Sequence, residues 1–317
     1  MFNFKTFNNI AEDGIDILRN NKFKEVSEKP DGILLRSYNI SDKDLEDSLL
    51  CIARAGAGTN NIPIEDATKK GIVVFNTPGA NANAVKELVI CGMLLSSRGI
   101  IEGIEFAKKL ELEDVEGLNK AMEAQKKAFA GNELAGKTLG IIGLGSIGSM
   151  LAQAAHTLGM KLVGYDPYIS IEGAWRLPAE VEKAETMEAL LRQSDFVSLH
   201  VPLVEDTKNL INKSNLKKFK KGAKLINLSR GGIVNTNDVI AELENGSLGR
   251  FVTDFPTPEL IKRSASKNDV VLLPHLGAST KEAEVNCAVM AANQMVNYLQ
   301  DGTILNSVNF PRISLSR

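Results

Sequence analysis

The feature that most limits what this chain can become is a short glycine run, Gly143-Leu144-Gly145-Ser146-Ile147-Gly148. A G-x-G-x-x-G pattern alone is a weak signal. Here it follows the apolar run LGIIG and opens the helical pattern SMLAQAAHTLG, which is the context that gives it meaning. Gly143 permits a tight turn, Gly145 lets the backbone approach a pyrophosphate, and Gly148 lets the helix pack close to the strand. The helix N-terminus, at Ser146 and Ile147, then offers unpaired N–H groups and a partial positive charge to an anion. The next strand, KLVGY, ends at Asp166, 18 residues past Gly148. A carboxylate there accepts hydrogen bonds from ribose hydroxyls and repels a 2′-phosphate. No Arg or Lys follows it directly, so the expected cofactor is NAD, not NADP.

The rest of the chain supplies the sheet such a loop needs. In the first hundred residues GILLRS, CIARAG and GIVVFNT read as buried strands, with SDKDLEDSLL and IEDATKKG as helices between them. Ser41 followed by Asp44 resembles a capping pattern, and Gly71 stands where a helix would end. From Asn83 to Ala130 the pattern is helical. From Lys137 the alternation resumes, with KTLGIIG, KLVGYD, DFVSLHV, AKLINLS, GRFVTDF and DVVLLPH as six strands, enough for a complete doubly wound sheet. A last helix is expected from Thr280 to about Leu299. At 317 residues the chain is long enough for two domains.

Composition removes other classes. With 37 Lys+Arg against 39 Asp+Glu, the basic excess of a non-specific nucleic-acid binder is missing. Cys51, Cys91 and Cys287 stand far apart with no CxxC or Cys/His cluster, so no metal site is expected. They read as buried thiols of a reducing compartment. MFNFKTFNNI is too polar for a signal peptide, and the longest apolar run, Leu88 to Leu95, is far short of a bilayer span. A cytoplasmic location is expected.

The chain has three histidines. His156 falls inside the helix after the glycine loop and reads as structural. His200 ends DFVSLH, where a cofactor contact and a packing role are both open. His275 ends DVVLLPH behind Pro274, at a strand's carboxyl end. Two other strand ends offer Arg230, then Asp254 and Glu259. A hydroxy-acid dehydrogenase needs a cation for the substrate carboxylate and carbonyl, a group of near-neutral pKa for the hydroxyl proton, and a carboxylate that raises that pKa. Arg230, His275 and Glu259 can fill these roles. Charged loop residues are common, so spacing alone leaves the assignment open.

These residues also carry a resemblance. The blocks from Ile52 (IARAGAGTNNI), Gly71 (GIVVFNTPGANANAV), Gly136 (GKTLGIIGLGSIG), His200 (HVPL), Ile226 (INLSRGGIVN) and Pro274 (PHLGAST) resemble, in order, the D-isomer-specific 2-hydroxyacid dehydrogenases, most of all the short phosphoglycerate dehydrogenases. The resemblance implies an α/β fold of two doubly wound parallel-sheet domains. A Rossmann NAD-binding domain, 99–280, would be inserted into a flavodoxin-like substrate domain, 1–98 plus 281–317. It implies Arg230, Glu259 and His275 as the catalytic trio. NAD contacts would come from Thr77, Gly143, Gly145, Ser146, Ile147, Gly148, Asp166, Thr207, Leu228, Ser229, Gly277 and Ala278, with Asp254 facing the nicotinamide carboxamide. Arg54 would meet a substrate phosphate, and the backbone of Ala55, Gly56 and Ala57 the substrate carboxylate. The site would lie in a closing cleft between the domains, and the segment from Gly99 to Ala130 would help form a homodimer.

The implied reaction is NAD-dependent oxidation of D-3-phosphoglycerate to 3-phosphohydroxypyruvate, the entry to serine synthesis. A glyoxylate, hydroxypyruvate or other D-2-hydroxyacid dehydrogenase is the first alternative, and an NAD-sensing scaffold like a corepressor the second. Leu260 departs from the Pro that many relatives carry after the catalytic Glu, so altered loop geometry is expected. No room is expected for a C-terminal regulatory domain after SVNFP.

Overall fold

A computed structural model describes residues 1–111 and 114–311. In chain order it forms β1 (Asn3–Phe7), α1 (Glu12–Asn20), β2 (Lys24–Glu25), β3 (Gly32–Leu35), β4 (Cys51–Arg54), α2 (Ile64–Lys69), β5 (Val73–Phe75), α3 (Ala82–Ser97), α4 (Ile100–Lys108) and α5 (Val115–Gln125). It continues as β6 (Thr138–Ile142), α6 (Ser146–Thr157), β7 (Lys161–Tyr165), α7 (Ile171–Ala174), β8 (Val181–Lys183), α8 (Met187–Gln193), β9 (Phe196–Leu199), α9 (Lys213–Leu216) and β10 (Ala223–Asn227). The last elements are α10 (Thr236–Glu244), β11 (Leu248–Thr253), α11 (Pro258–Ser264), β12 (Val270–Leu272) and α12 (Lys281–Asp301).

These elements divide into two compact units, one of residues 1–84 with the segment from Ala278 onward, the other Val85–Gly277. The first holds a parallel sheet in the order β2-β1-β3-β4-β5, the flavodoxin-like winding. Side chains alternate across it. Leu34, Val73 and Phe75 face a cluster with Phe4, Ala291 and Met295, the last two from the buried face of α12. Ile33, Leu35, Ile52 and Val74 face the other way, against Leu45, Leu49, Ile62 and Ala67.

The second unit holds seven parallel strands in the order β12-β11-β10-β9-β6-β7-β8. The six strands from β8 to β11 follow the Rossmann winding, and β12 extends the far edge. The change of unit at 84/85 has a packing reason. Val85, Val89 and Met93 of α3 are buried with Leu139, Ile141, Leu151 and Val252 of the second sheet.

Three expectations are corrected. SDKDLEDSLL is a single 3-10 turn, Asp42–Asp44, not a helix. Its Ser41/Asp44 cap does form, with Asp44 Oδ2 accepting from Ser41 N at 2.9 Å and Oγ at 2.8 Å. Beyond the turn, the Glu46 carboxylate accepts the Lys29 N–H at 2.9 Å and the Ser48 hydroxyl donates to Pro30 O at 3.0 Å. These side chains serve a neighbouring loop in place of a helical ladder. The NAD-domain sheet has seven strands, not six, because VEK at 181–183 pairs with β7 as an edge strand. Finally, Cys51 and Cys287 are buried but Cys91 is exposed, since it sits on the outer face of α3.

Candidate active site

The glycine loop joins β6 to α6. Gly143 has φ +90°, and a Cβ there would meet His200 O at 2.5 Å, so the turn requires glycine. A Cβ on Gly148 would collide with the Gly143 carbonyl oxygen, which fixes the helix-to-strand distance. Gly145 is different, because a Cβ there would meet nothing within 4 Å. It is the N-cap of α6, and no side chain caps the N–H groups of the turn that Ser146 and Ile147 begin. Asp166, at the end of β7, holds this loop in place. Its Oδ2 accepts the Leu144 N–H at 2.8 Å and its Oδ1 the Tyr168 N–H at 2.9 Å. An open glycine face at a bare helix N-terminus beside an acidic strand end fits the pyrophosphate and ribose of NAD.

The reacting groups come from the carboxyl ends of β10, β11 and β12, as doubly wound sheets dictate. Arg230 ends the β10 loop and is half-buried. That loop is braced by Asn227, which is 1% exposed. Asn227 Nδ2 donates to Arg230 O at 2.9 Å, and its Oδ1 accepts the Ser229 N–H at 3.2 Å. The Ser229 hydroxyl donates to Val201 O at 2.6 Å, and Leu228 is buried in the core beneath.

Asp254, also 1% exposed, follows β11. Its backbone oxygen accepts the His275 N–H at 3.1 Å and its Oδ2 the Gly277 N–H at 3.0 Å, so one residue ties down both ends of the β12 loop. Burial raises its pKa, against the opposing pull of that N–H, His275 and Arg230. Its Oδ1 is buried with no hydrogen-bond partner among the described residues. A lone acceptor of this kind fits an amide N–H donor, such as the carboxamide of a nicotinamide.

His275 is exposed and adopts φ +50°, a left-handed conformation that costs a non-glycine residue about 1–3 kcal/mol and collects at functional sites. Its ring leans on Phe255 at 5.1 Å between centroids. Among the described residues no hydrogen bond or ion pair joins His275 to Glu259. The Glu259 carboxyl, exposed in the first turn of α11, is lowered in pKa by its own backbone N–H and the Thr257 hydroxyl. Leu260, the family departure, is buried at 1% exposure and anchors α11 to the sheet core.

Among the other predicted residues, the Thr207 hydroxyl closes its own loop, donating to Pro202 O at 2.6 Å and accepting the Val204 N–H at 2.8 Å. His200 packs: its Nε2 lies 2.9 Å from Ser198 Oγ, its Nδ1 is buried without a partner, and burial pushes its pKa down to about 4. His156 is at the surface, 3.8 Å from the Glu180 carboxylate. Asn227 and Phe255 are the contributors that the sequence reading missed. The signal for Asn227 was a polar residue at the inner end of an otherwise apolar strand.

Arg54, Ala55, Gly56, Ala57, Thr77 and Ala278 belong to the first unit. Arg54 ends β4, its Nε donates to Arg36 O at 3.1 Å, and its guanidinium lies against Gly56. Asn76 Nδ2 donates to Ala57 O at 2.7 Å and the Thr77 N–H to Gly56 O at 3.1 Å, so two residues of the β5 loop shape the 55–57 backbone. Among the described residues no cluster of His, Cys, Asp or Glu could hold a metal ion, and no helix is long and apolar enough to cross a membrane.

A family model described as "D-isomer specific 2-hydroxyacid dehydrogenase, NAD binding domain" matches residues 94–277. The chain belongs to this family, and its second unit is an NAD-binding domain. It is 32% identical over 330 residues to the D-3-phosphoglycerate dehydrogenase of Bacillus subtilis, covering 99% of this chain and 60% of that one. It is 37% identical over 275 residues to a hydroxypyruvate reductase of Thermotoga maritima, covering 84% of each. A solved 3-phosphoglycerate dehydrogenase of Entamoeba histolytica with bound NAD+ superposes with TM-score 0.76 at 27% identity, over 98% of this chain and 99% of that one. The chain spans 60% and 50% of the length of the first two curated relatives it matches.

Proposed function

We propose that this protein oxidises a D-2-hydroxy acid with NAD, and that the acid is D-3-phosphoglycerate, giving 3-phosphohydroxypyruvate at the entry to serine synthesis. The observation that carries the reaction class is the loop after β12. There His275 stands in a strained left-handed conformation, tied through the Asp254 backbone and side chain, at the same sheet edge as Arg230.

The chemistry NAD supplies when bound is acceptance of a hydride from C2 of the acid. His275 takes the hydroxyl proton. Arg230 holds the carboxylate and the carbonyl that forms, through a planar fork suited to both. Glu259, kept anionic in the first turn of α11, supplies the negative charge that favours the imidazolium. Asp254 Oδ1, a buried acceptor, would hold the nicotinamide carboxamide. The loop 55–57 receives the substrate carboxylate on its N–H groups, and Arg54 receives the phosphate. The exposed Ile104, Val115 and Met122 of α4 and α5 form the surface of a homodimer.

An absorbance assay of NADH formation tests this, with D-3-phosphoglycerate, D-glycerate and D-lactate side by side at mildly alkaline pH and a trap for the keto product. Strong preference for the phosphorylated acid is expected. Arg54→Ala should raise its KM at least tenfold and leave D-glycerate unchanged. Equal loss on both acids refutes the phosphate role. Turnover of the unphosphorylated acids alone moves the protein to the hydroxypyruvate branch, as the Thermotoga maritima relative is named. NADH binding without turnover of any acid supports a scaffold.

A further inference from the structure

The opposite edge of the second sheet holds a different kind of site. Lys137 precedes β6, Asp195 precedes and Phe196 begins β9, and Lys221 and Lys224 flank the start of β10. With Asn132, Gly222 and Ala223 they enclose a cavity of about 160 Å³. That is room for about five waters' worth of liquid volume, enough for one tetrahedral oxyanion. The strands are parallel, so this edge lies one strand length, roughly 16 Å, from the carboxyl ends that carry Arg230 and Asp254.

The charge in the cavity is unbalanced. Its one carboxylate, Asp195, is already used. Its Oδ1 accepts from Lys220 Nζ at 2.6 Å and its Oδ2 from the Thr138 N–H at 2.9 Å. Lys137, Lys221 and Lys224 make no ion pair among the described residues. Lys224 is half-buried with its Nζ 5.3 Å from the centre of the Phe196 ring. Burial lowers its pKa, Asp195 opposes the shift, and Lys137, Arg250 and Lys220 add to it by like-charge repulsion. Three lysines line one small volume against a single carboxylate that Lys220 already pairs, an excess of positive charge that a dianion relieves.

We infer that this cavity is a second ligand site of the protein, binding a phosphate-class dianion through Lys137, Lys221 and Lys224. It does not depend on the reading of the catalytic site.

The test is thermal unfolding of the full chain with saturating NADH, titrated with inorganic phosphate or with glycerol 2-phosphate, against sodium chloride at matched ionic strength. The wild type should gain about 3 °C at ten times the apparent Kd. Lys221→Gln, at an exposed position, and Lys137→Gln should each melt no lower than wild type without phosphate, because each removes repulsion. Each should also lose most of the gain. A response to both anions assigns the site to phosphomonoesters as well as free phosphate, and a response to inorganic phosphate alone restricts it to the free ion; both support the site. Equal gains in wild type and variants, or a gain that chloride reproduces, overturn it.

Discussion

One methyl group, added at two positions three residues apart in the glycine loop, should separate folding from cofactor binding. At Gly148 a Cβ overlaps the Gly143 carbonyl oxygen and lies 3.1 Å from its carbon and 3.3 Å from Ile141 Cγ2. These neighbours are backbone and a buried core side chain, so neither can swing away. Gly148→Ala must push α6 off β6, an overpacking cost of about 1–3 kcal/mol. For a unit of this size that is a fall in Tm of roughly 3–10 °C.

At Gly145 the Cβ meets nothing within 4 Å, and the backbone, at φ −67° and ψ −162°, is extended and open to any residue. Gly145→Ala should therefore fold about as well as wild type, since a gain of about 0.4–1 kcal/mol from the reduced freedom of its unfolded chain offsets a cost of similar size for alanine at an N-cap. The same methyl projects into the space assigned to the pyrophosphate. NADH affinity should fall at least tenfold, about 1.4 kcal/mol. Differential scanning fluorimetry gives the first quantity and quenching of protein fluorescence by NADH the second. Wild-type NADH affinity in a well-folded Gly145→Ala protein would refute the argument, because the open glycine face would then not be where the diphosphate sits.

Further predictions concern the groups around the reacting centre. Asn227→Ala leaves the Ser229 N–H without its partner and Arg230 O with the Ile233 N–H alone, so stability should fall by about 1–3 kcal/mol. Turnover should fall by about 10–100-fold while NADH binding is kept, as steady-state kinetics and NADH titration would measure. His200 gives a pH signature. Burial pushes its pKa down to about 4, below the unfolded value near 6.5. Its contribution is therefore complete above pH 6.5 and is lost as pH falls toward 4, by about 3 kcal/mol. His200→Gln should flatten that part of the stability–pH curve, measured by urea unfolding from pH 4 to 7. A slope as steep as wild type would show that other groups carry it.

Much of the second sheet was legible because its strands are long apolar runs closed by special residues. The three glycines of the loop each meet a distinct steric demand, and such demands leave few substitutes. β8 was not legible, since VEK is an exposed edge of three residues with no apolar pattern. The segment SDKDLEDSLL misled because Leu45 and Leu49 are four apart and both buried, which is also the spacing of a helix face. What decides the matter is where Glu46 and Ser48 bond, and those partners at positions 29 and 30 are distant in sequence. Arg230, Asp254, Glu259 and His275 can be picked from the ends of strands and the loops that follow, but their pairings cannot. That Asp254 accepts the His275 and Gly277 N–H groups, while Glu259 lies in the first turn of α11, depends on loop geometry that spacing does not encode.

The discontinuous first unit has a consequence for biosynthesis. Its five strands are all complete by Phe75, but Phe4, Val73 and Phe75 owe part of their cover to Ala291 and Met295 of α12. That helix leaves the ribosome roughly 200 residues after the last strand, a delay of about 10–40 s at ordinary rates of translation. The inserted NAD-binding unit is therefore the first to have all its parts in hand, although its synthesis starts second. Until α12 arrives, one apolar face of the older sheet stays bare on the nascent chain, and that interval is when this protein most needs a chaperone's attention.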